Sequence, residues 1–153
     1  MAKRPGSSRC TAKIPSPPAT LHVSRIDWPK GQAIHRIHKM IHAADAFNPG
    51  IKGNARFSPI KDRSVKPAIP IRTLYGGQTF DCAVMETAFH EVPFAPGFMS
   101  YDKHKLADLV HSVLIASTEL VLADLSNVAL RKLGIPRNQL IDTEKACYPK
   151  TRN

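Results

Sequence analysis

Four side chains stand out for the chemistry they could carry: Arg36, Arg56, Tyr75 and Glu91. Arg36 lies in Ala33–Ile41, where basic and apolar residues alternate, and Arg56 follows the turn Gly53-Asn54-Ala55 and precedes Phe57-Ser58-Pro59. Tyr75 ends an apolar run just before Gly76-Gly77. Glu91 falls in Ala88-Phe89-His90-Glu91-Val92, which reads as the C-terminal end of a helix. A carboxylate there faces the negative end of the helix dipole, a mildly unfavourable place that points to service at a site or to a partner. Taken singly, each has a plain alternative: a solvated strand arginine, an amphipathic rim tyrosine, a glutamate paired with a nearby Lys or Arg.

Other chemistries lack their signatures. Seven histidines (His22, His35, His38, His42, His90, His104 and His111) show no His-Glu-x-x-His spacing, and the pair His38/His42 has no carboxylate neighbour, so no metal is expected. Ser58, Ser112 and Ser117 have no Gly-x-Ser-x-Gly context for a hydrolase elbow. The glycines match neither a phosphate loop nor a dinucleotide fingerprint. Cys10, Cys82 and Cys147 are widely spaced and form no Cys-x-x-Cys pair, which supports neither a zinc site nor a disulfide framework; a reducing cytoplasm is the natural reading.

The elements that must position these groups are short. Residues 1–32 read as a basic, proline-rich arm without apolar periodicity, with Trp28 as its one large anchor. Strands are expected within Ala33–Ile41, over Ala55–Ile60 and over Ile71–Tyr75, the last stopped by Gly76-Gly77. Thr79 or Asp81 can cap a helix that Pro93 forbids from continuing. Leu109–Ser117 and Leu120–Asp124 read as strands, and Ser126 caps a short helix through Leu133, closed by Gly134 and Pro136. Arg137–Asn153 is polar, with room for one more short helix. Short strands with helices inserted between them indicate an α+β fold.

At 153 residues, one domain is the expected count. No run approaches the ~18 apolar residues that span a bilayer, and the N-terminus lacks the apolar stretch of a secretory signal. The net charge of +10 favours anionic partners: nucleic acid, acidic protein or a phosphorylated cofactor. A basic nucleic-acid-binding module is one reading. The chain shows no helix-turn-helix, finger or stacking motif, however, so direct nucleic-acid contact is not expected from the sequence.

Taken together, the motifs form a pattern. His35-Arg36-Ile37-His38, Phe47-Asn48-Pro49-Gly50, Gly53-Asn54-Ala55-Arg56-Phe57-Ser58-Pro59, Thr73-Leu74-Tyr75-Gly76-Gly77 and Glu86-Thr87-Ala88-Phe89-His90-Glu91-Val92 resemble the RES-domain family in order and approximate spacing. Leu120–Leu125 and Ala129–Gly134 look like that family's later strand and turn. The second arginine follows Ala55 where the family usually has Gly. The family also usually continues beyond a Thr-Arg pair such as Thr151-Arg152 and supplies a late Ser, so the resemblance leaves open a short subgroup, a chain lacking its C-terminal part or an inactive remnant, with Ser58 as the stand-in hydroxyl.

The resemblance implies a single ADP-ribosyltransferase-like domain over residues 33–153 that uses NAD as substrate, a toxin encoded beside a neutralising antitoxin. Cleaving the nicotinamide–ribose bond builds positive charge on the sugar, which Glu91 would stabilise. Arg36 and Arg56 would hold the pyrophosphate, since a guanidinium fork matches it bidentately. Tyr75 would offer its ring to nicotinamide and its hydroxyl to the ribose. The ADP-ribose would pass to water, to phosphate or to a protein acceptor. An antitoxin with an acidic tail would cover the cleft lined by Arg36, Arg56, Tyr75 and Glu91. An inactive relative that keeps only the fold is the remaining alternative.

Overall fold

A computed structural model describes residues 20–90, 92, 97, 100–143 and 145–152. It contains six strands, β1 (Arg25–Trp28), β2 (Ala33–Lys39), β3 (Ile60–Asp62), β4 (Ile69–Ile71), β5 (Leu109–Ile115) and β6 (Leu120–Ala123). The α-helices are α1 (Phe80–Thr87), α2 (Asn127–Lys132), α3 (Arg137–Leu140) and α4 (Tyr148–Thr151), with 3₁₀ turns at Lys103–Leu106 and Lys145–Cys147. The fold class is α+β. The strands form three two-stranded sheets, β1 with β6, β2 with β5 and β3 with β4.

The chain divides into two compact units. The first comprises residues 1–26, 48–73 and 121–153; the second comprises 27–47 and 74–120.

In the second unit the antiparallel pair β2–β5 is the main scaffold, in register from Ala33 opposite Ile115 to Lys39 opposite Leu109. Side chains alternate across a strand, so Ile34, Arg36 and His38 share one face with Leu114, Ser112 and Val110. The chain returns to β2 at Gly77, whose N–H and C=O both bond His35 (2.7 and 2.9 Å). The glycine pair permits this approach: a Cβ on Gly76 would lie 2.5 Å from Ile34 Cγ2, and one on Gly77 would lie 2.7 Å from the Ala83 nitrogen. Helix α1 then starts at an N-cap, Thr79, whose Oγ1 accepts from the Cys82 N–H at 3.1 Å. Ala83 faces inward, and the Phe80 ring edge packs on His111.

The first unit buries Ala129, Leu130, Cys147 and Tyr148, together with Ser58 and Thr143. Ser126 caps α2 by accepting from Ala129 N–H, and Gly134, at φ +68°, turns the chain out of the helix. Its second sheet, β3–β4, pairs Lys61 with Pro70 and Asp62 with Ile69.

Several elements differ from the sequence reading. The arm over residues 1–32 contains β1, because Ser24 and Asp124 join it to the β6 end of the chain through a backbone bond of 2.8 Å that no local periodicity announces. Ala55–Ser58 is a closed turn in place of the first half of a strand: Ala55 N–H and Ser58 C=O bond at 3.0 Å, and the strand begins only at Ile60. The strand expected over Ile71–Tyr75 is β4 at Ile69–Ile71, because Thr73 leaves it to pair with Asn48. Helix α1 ends at Thr87, short of Glu91, so the dipole argument for that carboxylate does not hold. The C-terminal stretch forms two short helices where one was expected. Cys147 is disulfide-bonded, contrary to the sequence expectation, while Cys82 keeps an exposed free thiol.

Candidate functional site

Arg36 and Tyr75 belong to the second unit, Arg56 and Ser58 to the first. Glu91 lies outside the described residues.

Within the second unit, Arg36 projects from the middle of β2, directly opposite Ser112 of β5. Its Nη1 donates to the Ala44 carbonyl and its Nη2 to the Ala46 carbonyl at 2.8 Å. The guanidinium thus ties down the loop that follows β2. Desolvation by burial lowers its pKa from the ordinary guanidinium value, and the Asp45 carboxylate opposes that shift; arginine remains a cation throughout. A guanidinium has five N–H donors, and the two carbonyls take only part of that set, leaving capacity for an anion.

Two residues further along β2, on the same face, His38 is buried at 8% exposure. A carbonyl can only accept, so Nδ1 of His38 carries a proton and donates to the Lys39 oxygen at 3.0 Å. In the neutral ring Nε2 then accepts from Ser112 Oγ at 2.9 Å. Ser112, dismissed in the sequence for want of an elbow motif, is therefore part of a cross-strand polar pair beside Arg36.

Tyr75 is half-exposed and stands two residues before Gly77, the point where the chain pairs with His35. The glycine doublet is what brings a tyrosine-bearing segment back alongside the arginine-bearing strand.

The same unit holds a cavity of about 760 Å³ lined by His38, Lys39, Tyr101 and Asp108, together with Ala88 and Val92. Such a volume falls within the ~300–1,000 Å³ range of small-molecule sites. Tyr101 is set in place by its hydroxyl, which donates to the Ala88 carbonyl at 2.7 Å, and by an edge-on contact with Phe89 at 4.9 Å. Lys39 and Asp108 pair at 3.2 Å at its rim. Among the described residues, its lining includes neither Arg36 nor Tyr75.

Within the first unit, Arg56 and Ser58 share one turn. Arg56 Nη2 donates to the Tyr148 hydroxyl at 3.2 Å and to the Thr143 carbonyl at 3.4 Å, and its guanidinium carbon sits 5.0 Å from the Tyr148 ring centre. Arg152 reaches the same turn from the other side, donating to the carbonyls of Ala55 (3.1 Å) and Ser58 (2.9 Å). Ser58 itself is 2% exposed, and its Oγ accepts from Thr73 Oγ1 at 3.0 Å. Tyr148 and Arg152 were missed as candidates. The only signal for them was a late Tyr and Arg in an otherwise polar tail.

Among the described residues, no group of three or more His, Cys, Asp or Glu side chains is placed to hold a metal. No helix among them is long and apolar enough to cross a membrane.

No curated protein and no solved structure matches the chain. The RES domain model does match, over residues 33–153, an interval that includes Arg36, Arg56, Tyr75 and Glu91. RES domains are toxin-like and linked to NAD. With four-fifths of its length covered by that model, the chain belongs to the RES-domain family.

Proposed function

We propose that the chain cleaves the nicotinamide–ribose bond of NAD and acts as the toxin of a toxin–antitoxin pair. The observation that carries this reading is the RES domain match spanning every candidate residue. A cavity of small-molecule size in the second unit, lined by His38 two residues from Arg36 on β2, supports it.

Residue roles follow from chemistry. As the glycosidic bond breaks, nicotinamide leaves with the bonding electron pair and the ribose becomes oxocarbenium-like. A carboxylate beside that sugar lowers the barrier by opposing its developing charge, and Glu91 is assigned this part. Arg36 supplies its remaining N–H donors to the pyrophosphate or ribose while its carbonyl contacts keep it in place. Arg56 is the second phosphate partner, held by Tyr148 and by the turn that Ser58 and Arg152 stabilise. Tyr75 offers ring and hydroxyl to the nicotinamide-riboside half. Ser58, buried against Thr73, serves the turn that carries Arg56.

The second bond forms between the ribose C1 and an acceptor: water, phosphate or a protein side chain. Incubation with NAD alone, with added phosphate and with cell lysate separates the three, reading free ADP-ribose, phosphorylated ADP-ribose and labelled protein. Nicotinamide release in any arm supports the reading, and none in all three defeats it. A cognate antitoxin is the expected partner, restraining the enzyme by blocking NAD access.

A further inference from the structure

The charge of this protein is not spread over it. The first unit carries seventeen Lys and Arg against four Asp and Glu, a net +13; the second carries five against eight, a net −3. The whole basic excess therefore belongs to one unit, which the sequence, with Lys and Arg scattered through its loops, does not reveal.

Within that unit, the β3–β4 hairpin carries four cations against one carboxylate. Over residues 60–72 these are Lys61, Arg63, Lys66 and Arg72, all exposed, against Asp62. Asp62 is turned onto its own loop: Ser64 donates to its Oδ1 from both N–H (2.8 Å) and Oγ (2.7 Å). Between the cations stand exposed aliphatic groups, Val65 at 41%, Ile69 at 53% and Ile71 at 44%, with Pro67 and Pro70 alongside.

We propose that this hairpin is a binding surface for duplex DNA, with Lys61, Lys66 and Arg72 on the phosphates. A two-stranded ribbon fits the major groove of B-form DNA, and aliphatic or proline side chains at its tip suit base edges or a widened step. The composition argues against the competing classes. Residues 60–72 contain no Phe, Tyr or Trp, so the stacking platform that single strands need is absent. Protein interfaces draw on aromatic anchors and are depleted in Lys, the reverse of this hairpin. The acidic second unit contributes no such attraction, which restricts a polyanion to the first. The proposal is independent of NAD chemistry.

The test is fluorescence anisotropy with short labelled duplexes of DNA and of RNA, a single strand and polyglutamate, over a range of salt concentrations. The parent should bind a duplex more tightly than the single strand or polyglutamate. The triple variant Lys61→Ala/Lys66→Ala/Arg72→Ala should lose about tenfold or more in affinity, and its salt slope should fall by roughly two to three, near 0.9 per phosphate contact. Lys103→Ala/Lys105→Ala, in the second unit, should bind as the parent does. Lys61→Arg/Lys66→Arg should retain binding, which separates loss of charge from loss of fold. Duplex DNA should bind more tightly than duplex RNA, whose A-form major groove is too deep and narrow for a ribbon. Failure of the parent to bind duplex DNA at low salt overturns the proposal, as do a preference for duplex RNA and unchanged binding by the triple variant. Tighter binding of polyglutamate assigns the surface to an acidic protein and also overturns it.

Discussion

Arg56 and Tyr148, ninety-two positions apart, form one unit of structure: the guanidinium lies 5.0 Å over the phenol ring while donating to its hydroxyl at 3.2 Å. The tyrosine is 4% exposed, and the 3₁₀ turn Lys145–Cys147 runs directly into it. The C-terminal segment thereby becomes part of the support for an arginine assigned to bind phosphate.

Tyr148→Ala should destabilise the protein by about 3–5 kcal/mol, as loss of a large buried ring does. Tyr148→Phe keeps the ring beneath Arg56 and gives up the hydrogen bond from Arg56, for about 1 kcal/mol. Urea denaturation checks both. A Phe variant as unstable as the Ala variant would show that the hydroxyl, and not packing, dominates.

Arg36→Ala and Arg56→Ala should each weaken NAD binding by about ten- to a hundredfold, the equivalent of one charge-assisted contact of ~1.5–3 kcal/mol. Arg36→Lys should not restore it, because an ammonium cannot span the Ala44 and Ala46 carbonyls and still present a planar fork to phosphate. Calorimetry that finds parental affinity in both alanine variants removes the phosphate assignment.

Gly77→Ala should cost about 1–3 kcal/mol through overpacking, since its Cβ would meet Ala83 N at 2.7 Å and Cys82 Cβ at 3.0 Å. The strain falls between β2 and α1, so thermal unfolding should shift downward. An unchanged midpoint would mean that α1 yields freely.

Ser64→Ala should raise the Asp62 pKa, measurable by NMR titration. The Ser64 side chain and then its N–H hold that carboxyl below its ordinary value. A depressed folded pKa stabilises above the unfolded value and loses that contribution as pH falls through the folded one. The parent should therefore keep this turn ordered to lower pH than the variant; identical titrations would remove the Ser64 contacts as the cause.

Strands β5 and β6, rich in Val, Leu and Ile, and β2, with its alternating basic and apolar residues, were legible, as were the caps Thr79 and Ser126. Their signals are local: alternation, and a hydroxyl ahead of an apolar run. What failed was set by distant partners. Thr73 looks like the continuation of a strand, but Asn48 takes its backbone groups. Ala55–Ser58 has strand-like residues, yet its polar groups close on each other and on Arg152. The candidate residues Arg36 and Arg56 were visible by type. That each is anchored to carbonyls, of Ala44 and Ala46 or of Thr143, follows only from loops brought back by the fold.

An acidic antitoxin meeting a +10 chain should associate faster at low ionic strength and more slowly as salt rises, because exposed charges are screened beyond a Debye length of about 10 Å at 0.1 M salt. Co-expression with the product of the neighbouring reading frame should yield a complex and restore growth. Association rates that ignore salt would remove charge from the recognition.

Nicotinamide release from NAD should separate the parent chain from Glu91→Gln. The parent should release nicotinamide. The variant, folded to the same thermal midpoint, should be slower by about 10²–10³-fold, the usual loss for one electrostatic group at the reacting centre. Equal rates in the two would remove Glu91 from the reaction, and no release by the parent with water, phosphate and lysate all offered would rule out NAD cleavage.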